Sequence, residues 1–191
     1  MDVLHDLKTS SVNGITKHKQ GYLALFWKDG KDYIILYSPE LHFLKLFGEF
    51  FRSSDKFSHV AASDRLVAAV DPDQRLLKVF NSAGQFLYDM KLMGVMRPWG
   101  VHFLPDGCVL VTDFVAGCLK KYKVRAGNCE PTWVCRDLIS PVGISTDSNG
   151  LIFVASFNAK KIYIISEHGR QLDYTKTYFF HNGLISIGQF Y

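Results

Sequence analysis

Apolar residues in this chain come in runs of four to seven, each closed by a Gly, Asn, Asp or Pro turn. Alternating or short continuous apolar runs of this length predict strands, and no stretch carries a helical pattern. The third run of the chain's clearest segment is typical. Gly100-Val101-His102-Phe103-Leu104 turns at Pro105-Asp106-Gly107, continues as Cys108-Val109-Leu110-Val111-Thr112-Asp113, and resumes after Gly117 as Cys118-Leu119-Lys120-Lys121-Tyr122-Lys123-Val124. The same spacing returns in Gly143–Thr146, Leu151–Ala155 and Lys161–Ile165, closing on the turn Glu167-His168-Gly169-Arg170. Looser copies run through Leu66–Asp71, Arg75–Phe80 and Gln85–Leu87, and through Tyr22–Trp27 and Asp32–Tyr37.

A Gly followed by a branched aliphatic residue opens these units: Asn13-Gly14-Ile15, Pro98-Trp99-Gly100-Val101, Pro141-Val142-Gly143-Ile144 and Asn182-Gly183-Leu184. Ser58-His59-Val60 takes the second place, with His where Gly is expected, and the steps are 45, 41, 43 and 40 residues. A strand-only period of about 40 residues predicts an all-β chain built as a β-propeller. The blades fall at approximately 13–56, 57–97, 98–140 and 141–180, with 181–191 opening a fifth. The middle strands are almost wholly apolar, as expected of strands covered on both faces. The third strands mix in Lys and Arg and belong nearer solvent, so Lys120 to Arg125 reads as a solvated strand face or an interaction motif.

With 191 residues, 48% hydrophobic and 14% aromatic, the chain reads as one folded unit. Its net charge of +4 favours mild attraction to anions without indicating nucleic acid. No apolar run reaches the roughly 18 residues of a membrane span, and the first residues lack the pattern of a secretory signal, so a cytoplasmic protein with no membrane partner is expected. Cys108, Cys118, Cys129 and Cys135 lie within one repeat at spacings unlike Cys-x-x-Cys; reduced thiols, a disulfide and a zinc site are the readings open to them.

The fourth repeat resembles the NHL repeat in Pro141-Val142-Gly143-Ile144, Asn149-Gly150, Val154-Ala155-Ser156, Asn158-Ala159-Lys160-Lys161-Ile162 and Glu167-His168-Gly169-Arg170-Gln171-Leu172. The match is nearly as good across 98 to 124, fair across 57 to 92 and poor across 13 to 50. The resemblance implies four blades and the opening strand of another, part of a six-bladed ring such as those of tripartite-motif and RING ubiquitin ligases. A piece of a longer protein and a complete small propeller are both open. An unclosed array is expected to self-associate.

No nucleophile elbow, phosphate loop or His-x-x-x-His pair is present, so catalytic residues, metal and cofactor are all expected to be none. The opening strands offer mainly Val, Ile, Thr and Ser to the channel, against a lactonase or lyase. Function is then expected on the loops that gather on one face: Lys28, Lys31, Arg52, Arg75, Arg97, Phe114, Arg136, Phe157 and Lys160. These cations and aromatics suit phosphates and unpaired bases. Alternatively, Phe114 and Phe157 plug gaps between blades and the charges are solvated. The resemblance implies a non-catalytic module holding a protein partner or ubiquitination substrate for a ligase, with single-stranded RNA as the alternative ligand.

Overall fold

A computed structural model describes residues 11–51 and 59–176, and every regular element in them is a strand. The first sheet holds β1 (Ser11–His18), β2 (Gly21–Lys28), β3 (Lys31–Tyr37) and β4 (Phe43–Phe51), in that order. The second holds β5 (Val60–Ala62), β6 (Leu66–Asp71), β7 (Leu76–Asn81) and β8 (Phe86–Leu92). The third is built from β9 (Pro98–Phe103), β10 (Cys108–Asp113), β11 (Cys118–Lys123) and β13 (Trp133–Cys135), with β12 (Gly127–Cys129) lying between the last two in sequence. The fourth holds β14 (Pro141–Thr146), β15 (Ile152–Ser156), β16 (Lys161–Ile165) and β17 (Gln171–Lys176).

Each blade has a four-stranded antiparallel meander, and the first strands pack side by side, β1 on β5, β5 on β9 and β9 on β14. This is a β-propeller arrangement. No comparable packing joins β14 back to β1 among the described residues, so these four blades form an arc. The expected fifth opening, 181–191, lies outside the described residues.

Strand alternation builds the core between blades. Leu23, Leu25, Ile34 and Leu36 of the first blade meet Val67, Ala69 and Phe80 of the second. Val70, Leu77, Val79 and Met90 meet Val101, Val109, Val111 and Tyr122 of the third, and Leu110, Leu119 and Cys135 meet Ile152, Val154 and Tyr163 of the fourth. Each fully buried Leu or Ile here contributes about 2 kcal/mol of transfer free energy.

The recurring glycine has a packing cause. A Cβ on Gly100 would lie 2.0 Å from the Val142 carbonyl oxygen, so only Gly lets β9 approach β14 this closely. The Gly100 amide donates to Thr112 Oγ1 (2.7 Å), and that hydroxyl donates onward to the same Val142 oxygen (2.9 Å), tying the two blades together.

Two features depart from the sequence reading. β12 does not join its own blade: it runs parallel to β8 and extends the second sheet to five strands, which fastens the outer edges of the second and third blades. Lys120 is not on a solvated face: it is 5% exposed and ion-pairs with Asp113 at 3.2 Å, while Lys121 reaches Asp106 at 2.7 Å. Lys123 and Arg125 are exposed.

Candidate functional site

The meander fixes which loops share an end. Asp113, the last residue of β10, pairs with both Pro98 at the start of β9 and Cys118 at the start of β11, while β13 ends beside Leu119. The loops from second to third strand and those between blades therefore lie at one end, here called the upper mouth. The loops from first to second strand lie at the other, the lower mouth.

Eight of the nine sequence-predicted site residues sit at the upper mouth, and Arg52 lies outside the described residues. Lys28 and Lys31 flank a two-residue turn at Asp29 and Gly30, both at positive φ, and Lys31 pairs with Glu49 at 3.0 Å. Arg75 and Lys160 are exposed turn residues at positive φ in the second and fourth blades, and Arg136 is exposed beyond β13. Arg97 and Phe114 are brought into contact. The Arg97 guanidinium carbon lies 5.7 Å from the Phe114 ring and 5.5 Å from Trp99, and the two rings stack at 4.9 Å between centroids. Phe114 is thus half-buried against Trp99 and Arg97, whereas Phe157, whose amide donates to the Ser140 carbonyl as that of Phe114 does to Arg97, is 42% exposed. The difference lies in the partner: Trp99 stands where the fourth blade has Val142.

Beneath this layer the second strands of the second, third and fourth blades each end in a fully buried polar residue: Asp71, Asp113 and Ser156. Asp113 accepts the amides of Met96 (2.8 Å), Arg97 (3.0 Å) and Ala116 (3.1 Å) as well as Lys120 Nζ. Burial works to raise its pKa, but these donors outweigh burial and hold it below the usual carboxylate value. Ser156 donates to the Ile139 carbonyl in the equivalent place. Asp71 has two amides, from Asp73 and Gln74, and there burial prevails and raises the pKa.

Sequence reasoning passed over the lower mouth. A cavity of about 760 Å³ opens there between the second, third and fourth blades, lined by Ser63, Asp64, Arg65, Leu104, Asp106 and Thr146 among others. An adjoining cavity of about 380 Å³ shares Leu104, Asp106 and Thr146 and adds Lys121, Asp147 and Glu167. Thr146 of the lining is held from behind: His102 Nε2 on β9 lies 3.0 Å from Thr146 Oγ1 on β14, a bond between neighbouring blades. Burial lowers the His102 pKa below 6.5. The opening strands, expected to offer mainly Val, Ile, Thr and Ser, thus also carry this histidine, and its place one residue after the Gly100-Val101 opening was the available signal.

The four cysteines are free thiols; Cys118, Cys129 and Cys135 are buried, and burial raises the pKa of Cys108, Cys118 and Cys135. No group of three or more His, Cys, Asp or Glu converges to hold a metal among the described residues. No helix among them is long and apolar enough to cross a membrane.

No family model and no curated protein sequence matches the chain. Solved structures do match in fold. The glutaminyl cyclase of Myxococcus xanthus superposes with a TM-score of 0.63 at 11% identity, over 88% of this chain and 71% of the cyclase. A streptogramin B lyase gives 0.65 at 14% identity over 90% and 56%, and the virginiamycin B lyase of Staphylococcus aureus gives 0.65 at 11% over 90% and 57%. The chain thus spans little more than half the length of either lyase. These are β-propellers, and the fold is that of a β-propeller. The cyclase and the lyases are enzymes, against the expectation of a non-catalytic module serving a ubiquitin ligase and of a chain that is not by itself an enzyme. Single-stranded RNA binding gains no support from them either.

Proposed function

We propose that these four blades belong to a propeller enzyme that acts on a small molecule by proton transfer at the lower mouth, with His102 as the base. The observation carrying this reading is the His102–Thr146 bond between the first strands of two blades, which sets the imidazole behind Thr146, a residue of the 760 Å³ cavity lining. A histidine whose pKa is lowered by burial is neutral at neutral pH, so its imidazole is ready to accept a proton. Thr146 orients the ring, and Arg65 in the cavity lining offers a positive charge to oxyanion character developing in the substrate. Elimination and intramolecular cyclisation both need such a base, and lyases and a cyclase stand among the fold's neighbours.

The blades are proposed to be of NHL type, on the Pro-x-Gly-Ile openings and the Asp113 tie at the end of the second strand. A reducing compartment such as the cytoplasm suits four free thiols.

The test is turnover of quinupristin, 6-phosphogluconolactone and glutaminyl compounds by wild type, His102→Ala and Thr146→Val. His102→Ala is expected to lower kcat by about 10² to 10⁴, the usual worth of a positioned base. The wild-type rate should fall on the acid side of pH 6.5 as the imidazole protonates. Turnover that survives His102→Ala undiminished removes the assignment.

A further inference from the structure

The upper mouth holds a cation with no counter-charge. Asp113, the carboxylate that accepts the Arg97 backbone amide, is already committed to three amides and to Lys120 Nζ. The Arg97 guanidinium instead lies over Trp99 and Phe114, and its Nε is walled in without a hydrogen-bond partner. No acceptor among the described residues pairs with its Nη groups. These groups are therefore the part of the guanidinium left to bind something from outside.

The surroundings limit what that something is. Met96 (58% exposed), Val115 (53%), Ile139 (54%) and Phe157 (42%) come from the same two kinds of upper-mouth loop. An anion alone would leave these apolar side chains in water, and an apolar group alone would leave the guanidinium unpaired. A planar guanidinium matches a carboxylate with two parallel N–H···O bonds, and its stacking on two rings fixes its plane beforehand.

We propose that the Arg97–Trp99–Phe114 stack is a binding site for a small apolar carboxylate, whose carboxyl group meets the Arg97 Nη groups end-on and whose hydrocarbon part covers Met96, Val115 and Phe157. The site is separate from the lower cavity and stands or falls independently of the role given to His102.

Calorimetric titration of the 191-residue chain with 1-naphthoate, 1-naphthamide and inorganic phosphate tests it. Naphthoate should bind saturably, with the neutral amide at least ten-fold weaker and phosphate unable to displace it. The Trp99 indole resonance should shift on binding while those of Trp27 and Trp133 stay put. Arg97→Gln should weaken naphthoate at least ten-fold, and His102→Ala should leave it unchanged. Should Arg97→Gln fail to fold, the carboxylate–amide comparison on the wild type decides alone. Equal affinity for acid and amide, displacement by phosphate, no saturable binding, or a shift confined to the other two indoles overturns the proposal.

Discussion

Asp113 carries more of this fold than its single position suggests. One carboxylate ends a second strand, ties the preceding inter-blade loop through Met96 and Arg97, closes the next turn through Ala116 and neutralises a buried lysine. Replacing it with Ala leaves three amides without an acceptor and the buried Lys120 with the Gly94 carbonyl but no carboxylate, and a loss of about 3 to 5 kcal/mol is expected in urea unfolding. Its pKa is depressed, so its contribution is present above the unfolded value of 3.8 and is lost as pH falls through the lower folded value. Half-buried His59 acts in an earlier window. Burial lowers its pKa from 6.5 to about 4, so the neutral form favoured by the fold contributes stability above pH 6.5 that fades as pH falls towards 4. At most about 3 kcal/mol is at stake. Thermal melts of wild type should drop across that window, and His59→Gln should flatten the drop. That His59 occupies the Gly position was legible in the sequence; its burial was not, because burial there depends on the neighbouring strands.

At the scale of the element, the link between β9 and β14 rests on one absent side chain and one hydroxyl. Gly100→Ala would place a Cβ 2.0 Å from the Val142 oxygen and force the strands apart. Thr112→Val removes the bridge that serves Gly100 and Val142 together. Each is expected to cost about 1 to 3 kcal/mol, and the double variant to cost less than the sum because the two changes disturb one contact. The Pro-x-Gly-Ile openings announced these strands because the steric demand is local to the repeat. β12 gave no such notice. Gly127-Asn128-Cys129 is three residues long, and its pairing with Met90, Lys91 and Leu92 depends on a neighbouring blade's edge being free. Lys120 was misread for a related reason: period-two alternation tells which face a residue occupies, and not whether an acid waits on that face.

At the largest scale, the arc leaves two blade faces without a blade against them among the described residues. By strand alternation, Tyr22, Phe26, Tyr33 and Tyr37 lie on the first blade's face opposite its core cluster, and Phe153, Ile162 and Ile164 on the equivalent face of the fourth; all are half-buried. The 191-residue chain is expected to self-associate through these faces, with sedimentation rising with concentration, and Ile164→Lys should reduce the association. The period of apolar runs, the turn residues and the Gly openings determined by themselves that this protein is a stack of strand meanders, because those signals arise within a single repeat. Which side chains meet was decided by tertiary structure alone: Arg97 over Trp99 and Phe114, Lys120 with Asp113, His102 with Thr146. Such pairs lie on different strands, and often different blades, so their chemistry exists only once the blades are set side by side.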